Sequence, residues 1–406
     1  MRVLHTSDWH LGQEFYAYDR SEEHAAFLDR LRDIVAEERP DVLVVCGDIY
    51  HNAAPSNAVM RMFTDRLDRV RQASPATRVI VTAGNHDSSA RLEVSRSLWE
   101  HLGVTVVGRI ERDADGGIDL DRHIIPIDTP RGERVGYVVA MPHVFPQNYP
   151  LLEEGTPREE RQARFLEALA ERVRAVNREG LPVVMMAHLT VAGTDLEGHY
   201  DSRGGLEATE LSAIPVPYDY LALGHIHRAQ SFLGGRARYC GSPLPVDFDE
   251  QRYAHSVTLA DLPGGGAMPA LRTIPIENPR PLLTLPDEAT DFDTALGLLA
   301  DFPADVPAYL RLHVRLRDVA PADALERAAA VVRGKAARFC CFKWERPLSD
   351  ATPDRRADFT LDHIRRVSPV EVARHYYADT YGAPLDPDLE QMLREAIARA
   401  GQREGE

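Results

Sequence analysis

Cysteine is scarce in this sequence, with four in 406 residues. Cys46, Cys240, Cys340 and Cys341 are scattered, and the adjacent pair suits neither an ordinary disulfide nor a CxxC metal site. A disulfide-stapled secreted fold is thereby excluded, and a reducing cytoplasm is expected. Long uncharged apolar runs are lacking as well, so no segment reads as a bilayer-spanning helix and no membrane is expected as a partner. Arg2-Val3-Leu4-His5-Thr6 reads as a strand, leaving no room for the basic region and apolar core of a signal peptide. No internal repeat or low-complexity tract occurs. Positive charge is also in deficit, with a formal net charge of −16. That balance disfavours nucleic acid without excluding it. A metal centre carries its own positive charge, a basic patch can sit on an acidic body, and a partner can supply part of the grip.

What is present is a layered pattern. The length exceeds one ordinary core, so two or three domains are expected. Strand signals fall at Val3–Thr6, Val42–Cys46, Val79–Thr82, Val135–Met141, Val183–Ala187 and Tyr220–Leu223, with helical periodicity between them. Residues 22–38 align Phe27, Leu28, Leu31, Ile34 and Val35, and residues 158–178 align Phe165, Leu169, Val173 and Val176. Helical patterns at 56–72 and 91–102 carry wider apolar stripes, which fit either burial within this chain or contact with another subunit. After residue 260, Gly264-Gly265-Gly266 and prolines 275, 279, 281 and 286 mark turns. Beyond them Leu310, Leu312, Val314 and Leu316 alternate with Arg311, His313, Arg315 and Arg317, as in a half-buried strand with a basic outer face. A helix over 322–334 and a strand Arg338–Trp344 complete a small α/β unit. Residues 348–358 read as a polar linker, and 359–402 as helical apart from a break at Gly382–Pro387.

Five segments place polar residues directly after predicted strands: Asp8-Trp9-His10, Gly47-Asp48, Gly84-Asn85-His86-Asp87, His188 and Gly224-His225-Ile226-His227. In layered α/β folds, sites form beyond the carboxyl ends of strands, so distant segments converge there. Taken singly, each is ordinary: a strand-end Asp is usually a turn cap, and a lone histidine is usually a bonded core residue. Together they offer oxygen and nitrogen donors suited to manganese, iron or zinc. Asp8, His10, Asp48, Asn85, His188, His225 and His227 are too many for one ion, and two ions sharing a carboxylate would use them all.

In kind and order these motifs (D-x-H, GD, GNHD, H, GHxH) resemble the calcineurin-like metallophosphoesterases. The match narrows at His5–Gly12, at Leu223–Gln230, and at Tyr239-Cys240-Gly241-Ser242-Pro243-Leu244-Pro245 with Phe248-Asp249-Glu250. These look like the SbcD family of bacterial exonuclease subunits, strongly over about the first 275 residues. The resemblance implies an α/β fold: a layered metallophosphoesterase β-sandwich flanked by helices (1–275), a small α/β capping domain that meets DNA (276–347), and a linker with a C-terminal helical segment (348–406). It further implies that Asp8, His10 and His227 hold one divalent ion, Asn85, His188 and His225 the other, and Asp48 bridges; manganese is the metal expected. His86 would contact the phosphate. Asp87 would orient its ring or merely cap the turn. Tyr50-His51 departs from the Phe-Asp of many bacterial members and is similar to archaeal and eukaryotic ones, which implies an accessory role for His51. Arg311, Arg315 and Arg317 would meet DNA. A homodimer and a coiled-coil ATPase of the SbcC type are the implied protein partners, the latter on the apolar faces of 359–400 unless these dock on the chain itself. The implied activity is exonuclease and endonuclease cleavage of duplex ends, hairpins and single strands in DNA repair, at the nucleoid. Two other functions share the motifs. A small-molecule phosphoesterase would not need a basic strand domain and a helical tail, and an inactive scaffold would not need complete donor motifs.

Overall fold

Val42–Cys46 contains no polar side chain, and all five residues are buried. Such a run suits a parallel strand covered on both faces. A computed structural model describes residues 1–113, 115–152, 155–196, 208–316 and 320–345, with residues 370, 374, 377, 385–386 and 389–393 beyond. Contacts divide the chain into two units, Met1–Glu345 and Arg346–Glu406.

Two six-stranded sheets dominate the first unit. One runs, in spatial order, Ala270–Pro275, Ser256–Asp261, Arg2–Thr6, Val42–Cys46, Arg78–Thr82 and Val104–Val107. The other runs Gln230–Phe232, Ala237–Tyr239, Tyr220–Gly224, Val183–His188, Arg134–Ala140 and Ile124–Asp128. They face each other across a core that joins Val42, Val44 and Ile80 to Val138, Val184 and Ala222. Alternation then sends Leu43 and Val45 outward, against Phe27, Leu31 and Ile34 of the helix Ser21–Glu38 and Phe63 and Leu67 of the helix Asn57–Ala73. Phe165, Leu169 and Val173 of the helix Arg161–Val176 cover the second sheet's outer face. The result is the expected β-sandwich flanked by helices.

The helical pattern at 91–102 forms two short helices instead, Ser89–Glu93 and Arg96–His101, with Val94 81% and Leu98 61% exposed. Pattern reading passed over the strands Val104–Val107, Ile124–Asp128, Ser256–Asp261 and Ala270–Pro275. Ile124–Asp128 contains Pro126, which an edge strand tolerates because its missing N–H faces no partner.

The small unit is a parallel sheet, Leu282–Thr290, Tyr309–Arg315 and Arg338–Glu345, with helices Phe292–Asp301 and Ala324–Val331. Leu310, Leu312 and Val314 fill a core of its own with Leu296, Leu299 and Ala328. It meets the sandwich at a second cluster of Phe15, Phe248, Leu282 and Tyr309. The basic outer face expected on the middle strand is largely consumed within the protein. Arg311 lies over the Phe248 ring at 4.8 Å, donates to Thr284 Oγ1 at 3.1 Å and pairs with Asp249 at 3.3 Å. His313 is buried beside Glu345, and exposed Arg315 is 3.6 Å from the same carboxylate. Arg317 and the linker 348–358 lie outside the described residues, as does most of the helical stretch 359–402. Among the described residues no helix is long and apolar enough to cross a membrane.

Candidate metal centre

Three consecutive parallel strands end on the candidate residues. Backbone pairing continues past them, with Asp8 N–H donating to Gly47 O at 3.1 Å and His10 N–H to Asp48 O at 3.0 Å. Asp8, His10, Asp48 and His225 all have positive φ, at 53°, 45°, 50° and 94°. Left-handed backbone is unfavourable for residues with a Cβ, and strain of this kind gathers where function requires a set direction. Two glycines make room for the convergence. A Cβ on Gly84 would overlap the Asp48 carboxylate, and one on Gly47 would overlap the His188 ring.

Several of these side chains lie close together. The donor atoms of Asp8, His10 and His227 lie within 4.8 Å of one another, as do those of Asp8, Asp48 and His188. Asp8 is thus common to both groups. Asn85 Oδ1 lies 2.8 Å from His188 Nε2 and 3.1 Å from His225 Nδ1. Asp48 Oδ2 lies 3.5 Å from His188 Nε2 and 3.7 Å from His10 Nε2, between the two sets. The Nε2 atoms of His10 and His227 face each other at 3.1 Å.

Burial sets the electrostatics. It pushes the Asp8 carboxyl up, against the pull of His188 and His227. It pushes Asp48 up as well, but the imidazoles of His188, His10 and His86 more than reverse this and hold Asp48 well below the usual range. Burial lowers His188, and Asp48 carries it back up to about 9. Burial likewise lowers His227, and Glu250 carries it up to about 9. Carboxylates and imidazoles therefore balance one another, and deprotonated imidazoles leave a net anionic cage for cations. Among the described residues, buried His10 Nδ1 finds no hydrogen-bond partner. The oxygen and nitrogen donors, their number and their convergence fit two divalent ions.

His86 lies beside this set. Its backbone N–H donates to Asp48 Oδ1 at 2.9 Å, and its Nδ1 bonds to the His51 carbonyl at 2.8 Å. Its ring meets that of His10 edge-on at 4.9 Å and stacks on His51 at 5.8 Å. The structure thus brings His51 to the centre. The Asp87 carboxylate accepts from the backbone N–H groups of Gly84, Ile49 and Tyr50 at 2.9–3.1 Å. Fixing two loop backbones at once is what the turn-capping alternative requires. A cavity of about 500 Å³ opens beside His188 and His225, lined also by His143, Phe145, Tyr149 and Thr190. Sequence reasoning missed His143, which has no motif around it; its Nδ1 bonds to the His188 carbonyl at 3.1 Å.

Two sheets with oxygen and nitrogen donors gathered at their strand ends make a candidate centre for divalent metal ions. A family model described as calcineurin-like phosphoesterase matches residues 1–229. The chain is 41% identical over 300 residues to the SbcD component of the SbcCD nuclease of Rhodobacter capsulatus, covering 71% of this chain and 73% of that one. It is 31% identical to the Escherichia coli K12 counterpart, covering 77% and 78%, and 28% identical to that of Bacillus subtilis, covering 97% of each. The chain belongs to the calcineurin-like phosphoesterases and, within them, to the SbcD nuclease family, which makes it a metal-dependent phosphodiesterase.

Proposed function

We propose that the protein cleaves DNA phosphodiesters, as an exonuclease and endonuclease on duplex ends, hairpins and single strands, with two manganese ions. The observation that carries this reading is the convergence of seven oxygen and nitrogen donors from five strand ends. Asp8, His10 and His227 would hold one ion, Asn85, His188 and His225 the other, with Asp48 between. A bound pair of divalent ions supplies a hydroxide near neutral pH and neutralises charge on the phosphoryl oxygens. The His86 N–H on the other oxygen of Asp48 supports a bridging role for that carboxylate. His86, held through Nδ1, would present its remaining face to the phosphate, with His51 stacked behind it as an accessory group. The cavity beside His188 and His225 has room for one nucleotide of a strand end. Exposed Arg315, with Arg317, would meet the DNA backbone. Labelled duplex ends and hairpins incubated with manganese should be cut, whereas magnesium alone should support less cleavage. Absence of cutting on every DNA substrate, with a generic diester still hydrolysed, would return the reading to a small-molecule phosphoesterase.

The protein would work as a homodimer with a coiled-coil ATPase of the SbcC type, in DNA repair. Support for the dimer lies in Val94 and Leu98, exposed apolar residues between and on the two short helices whose Leu92 and Trp99 join the core. Met60 and Met62 are partly buried against this chain's own core, so Val94→Glu with Leu98→Glu is the better probe. The double variant should sediment at half the parental mass and still cleave a small diester. A parental protein already monomeric at micromolar concentration would refute the dimer. For the ATPase, support comes from the apolar pattern of residues 359–400. Deleting everything after 358 should release the ATPase in a pull-down while metal content stays unchanged.

A further inference from the structure

His227 has a partner that the motif pattern does not specify. Its Nδ1 lies 2.7 Å from Glu250 Oε1, and both residues are buried, Glu250 to 2% exposure. The carboxylate's other oxygen accepts the Val246 N–H at 2.9 Å and lies 3.4 Å from Ser242 Oγ. Glu250 ends a short turn, Phe248–Glu250, after a loop that is itself fastened. Gln13 Nε2 donates to Val246 O at 2.8 Å, and buried Arg20 Nη1 donates to Pro245 O at 2.8 Å. Neighbouring Asp249 pairs with Arg311 of the small sheet. Sandwich and small sheet thus grip the segment that carries this carboxylate.

We infer that Glu250 is a positioning residue for the metal centre: it holds the proton of His227 on Nδ1 and aims Nε2, as a lone pair, at the site shared with His10. The inference rests on the metal-centre reading above. An imidazole can carry its proton on either nitrogen, and only the deprotonated one can ligate. A carboxylate at Nδ1 decides the tautomer, locks the ring plane and makes Nε2 a stronger donor. The geometry fits, because His227 Nε2 is the atom that points at His10 Nε2. His188 Nδ1 instead bonds to the Cys46 carbonyl at 2.8 Å, with Asp8 Oδ1 at 4.0 Å, beyond hydrogen-bonding distance. A carboxylate stands at hydrogen-bonding distance from Nδ1 of His227 but not from that of His188, so the His227 ion should depend on that charge.

Manganese alone, titrated calorimetrically into chelator-stripped full-length protein, tests this. Glu250→Ala should weaken one of two binding events by about 10- to 100-fold. Glu250→Gln, which can still accept the Nδ1–H through its amide oxygen, should fall between Ala and the parent. Raising manganese should restore most of the cleavage rate in Glu250→Gln, because the reacting groups are intact. Unchanged manganese affinity in both variants, with His227→Ala weakened, overturns the role of Glu250 and leaves the metal-centre reading standing. Unchanged affinity in His227→Ala itself overturns that reading and this inference together. Should Glu250→Ala fail to fold, Glu250→Gln decides alone. A Gln variant whose melting temperature drops equally with and without manganese, at parental affinity, makes Glu250 merely structural.

Discussion

Asp8→Asn and His227→Ala are each expected to lose bound metal and at least about a thousandfold in phosphodiester cleavage, equivalent to ~4 kcal/mol of barrier. Asp8 belongs to two of the groups of converging donors, so losing its charge weakens both. It also accepts Ser7 Oγ at 2.6 Å and the His225 N–H at 3.0 Å. Asparagine keeps the size and one acceptor oxygen, so the loop should hold while the anionic charge goes. His227→Ala removes a ring that faces His10 and leaves Glu250 buried without its imidazole partner. Some stability should therefore fall with it, on the order of 3 kcal/mol for an uncompensated buried charge. Metal analysis, circular dichroism and cleavage of a generic diester check all three quantities. Near-parental metal content with near-parental cleavage in both variants would sink the donor assignment.

His86→Ala should behave differently, keeping two metal ions and DNA affinity while turnover drops a hundredfold or more, or roughly 3 kcal/mol. The backbone N–H that fixes Asp48 survives the substitution, since alanine retains it. What disappears is a ring placed edge-on to His10 and tied through Nδ1 to the His51 carbonyl. A group there gains strength as charge develops on the phosphoryl oxygens, so its loss lowers kcat more than it raises KM. The donor atoms of His10, His51 and His86 also lie within 4.8 Å of one another, which offers a rival reading of His86 as a ligand. Metal content separates the two. If His86→Ala loses metal as readily as Asp8→Asn, His86 is a ligand; if it cleaves at the parental rate, the ring is structural.

Several features were open to sequence reading for a local reason. Val42–Cys46 and Val79–Val81 are continuous apolar runs because both faces are buried, Val3 and Leu4 are a shorter one, and polar candidates follow each strand within three residues. Motif and position then coincide, since a strand end delivers the next one or two side chains to the same edge of the sheet. The candidates Asp8, His10, Asp48, Asn85, His188, His225 and His227 could be named on that basis, and a layered α/β fold with them, whereas the sandwich was implied only by the family resemblance. Edge strands such as Ile124–Asp128 and Ala270–Pro275 gave weaker patterns, because an edge need not be apolar on both faces.

Other features depended on what meets across the fold. No periodicity pairs Arg311 with Asp249, 62 positions away, so a strand that reads as a basic surface becomes part of a strut between two sheets. Asp87 looks like a partner for the histidine beside it, yet three backbone N–H groups from two loops reach its carboxylate first. Glu250 lies 23 positions after His227, and its bearing on the metal centre appears only when the turn Phe248–Glu250 folds beneath that ring. The sequence by itself determined the chemistry available at each strand end, because covalent neighbours travel together. Tertiary structure alone decided which charges neutralise one another, because Coulombic and hydrogen-bond partners are chosen by distance in space rather than along the chain.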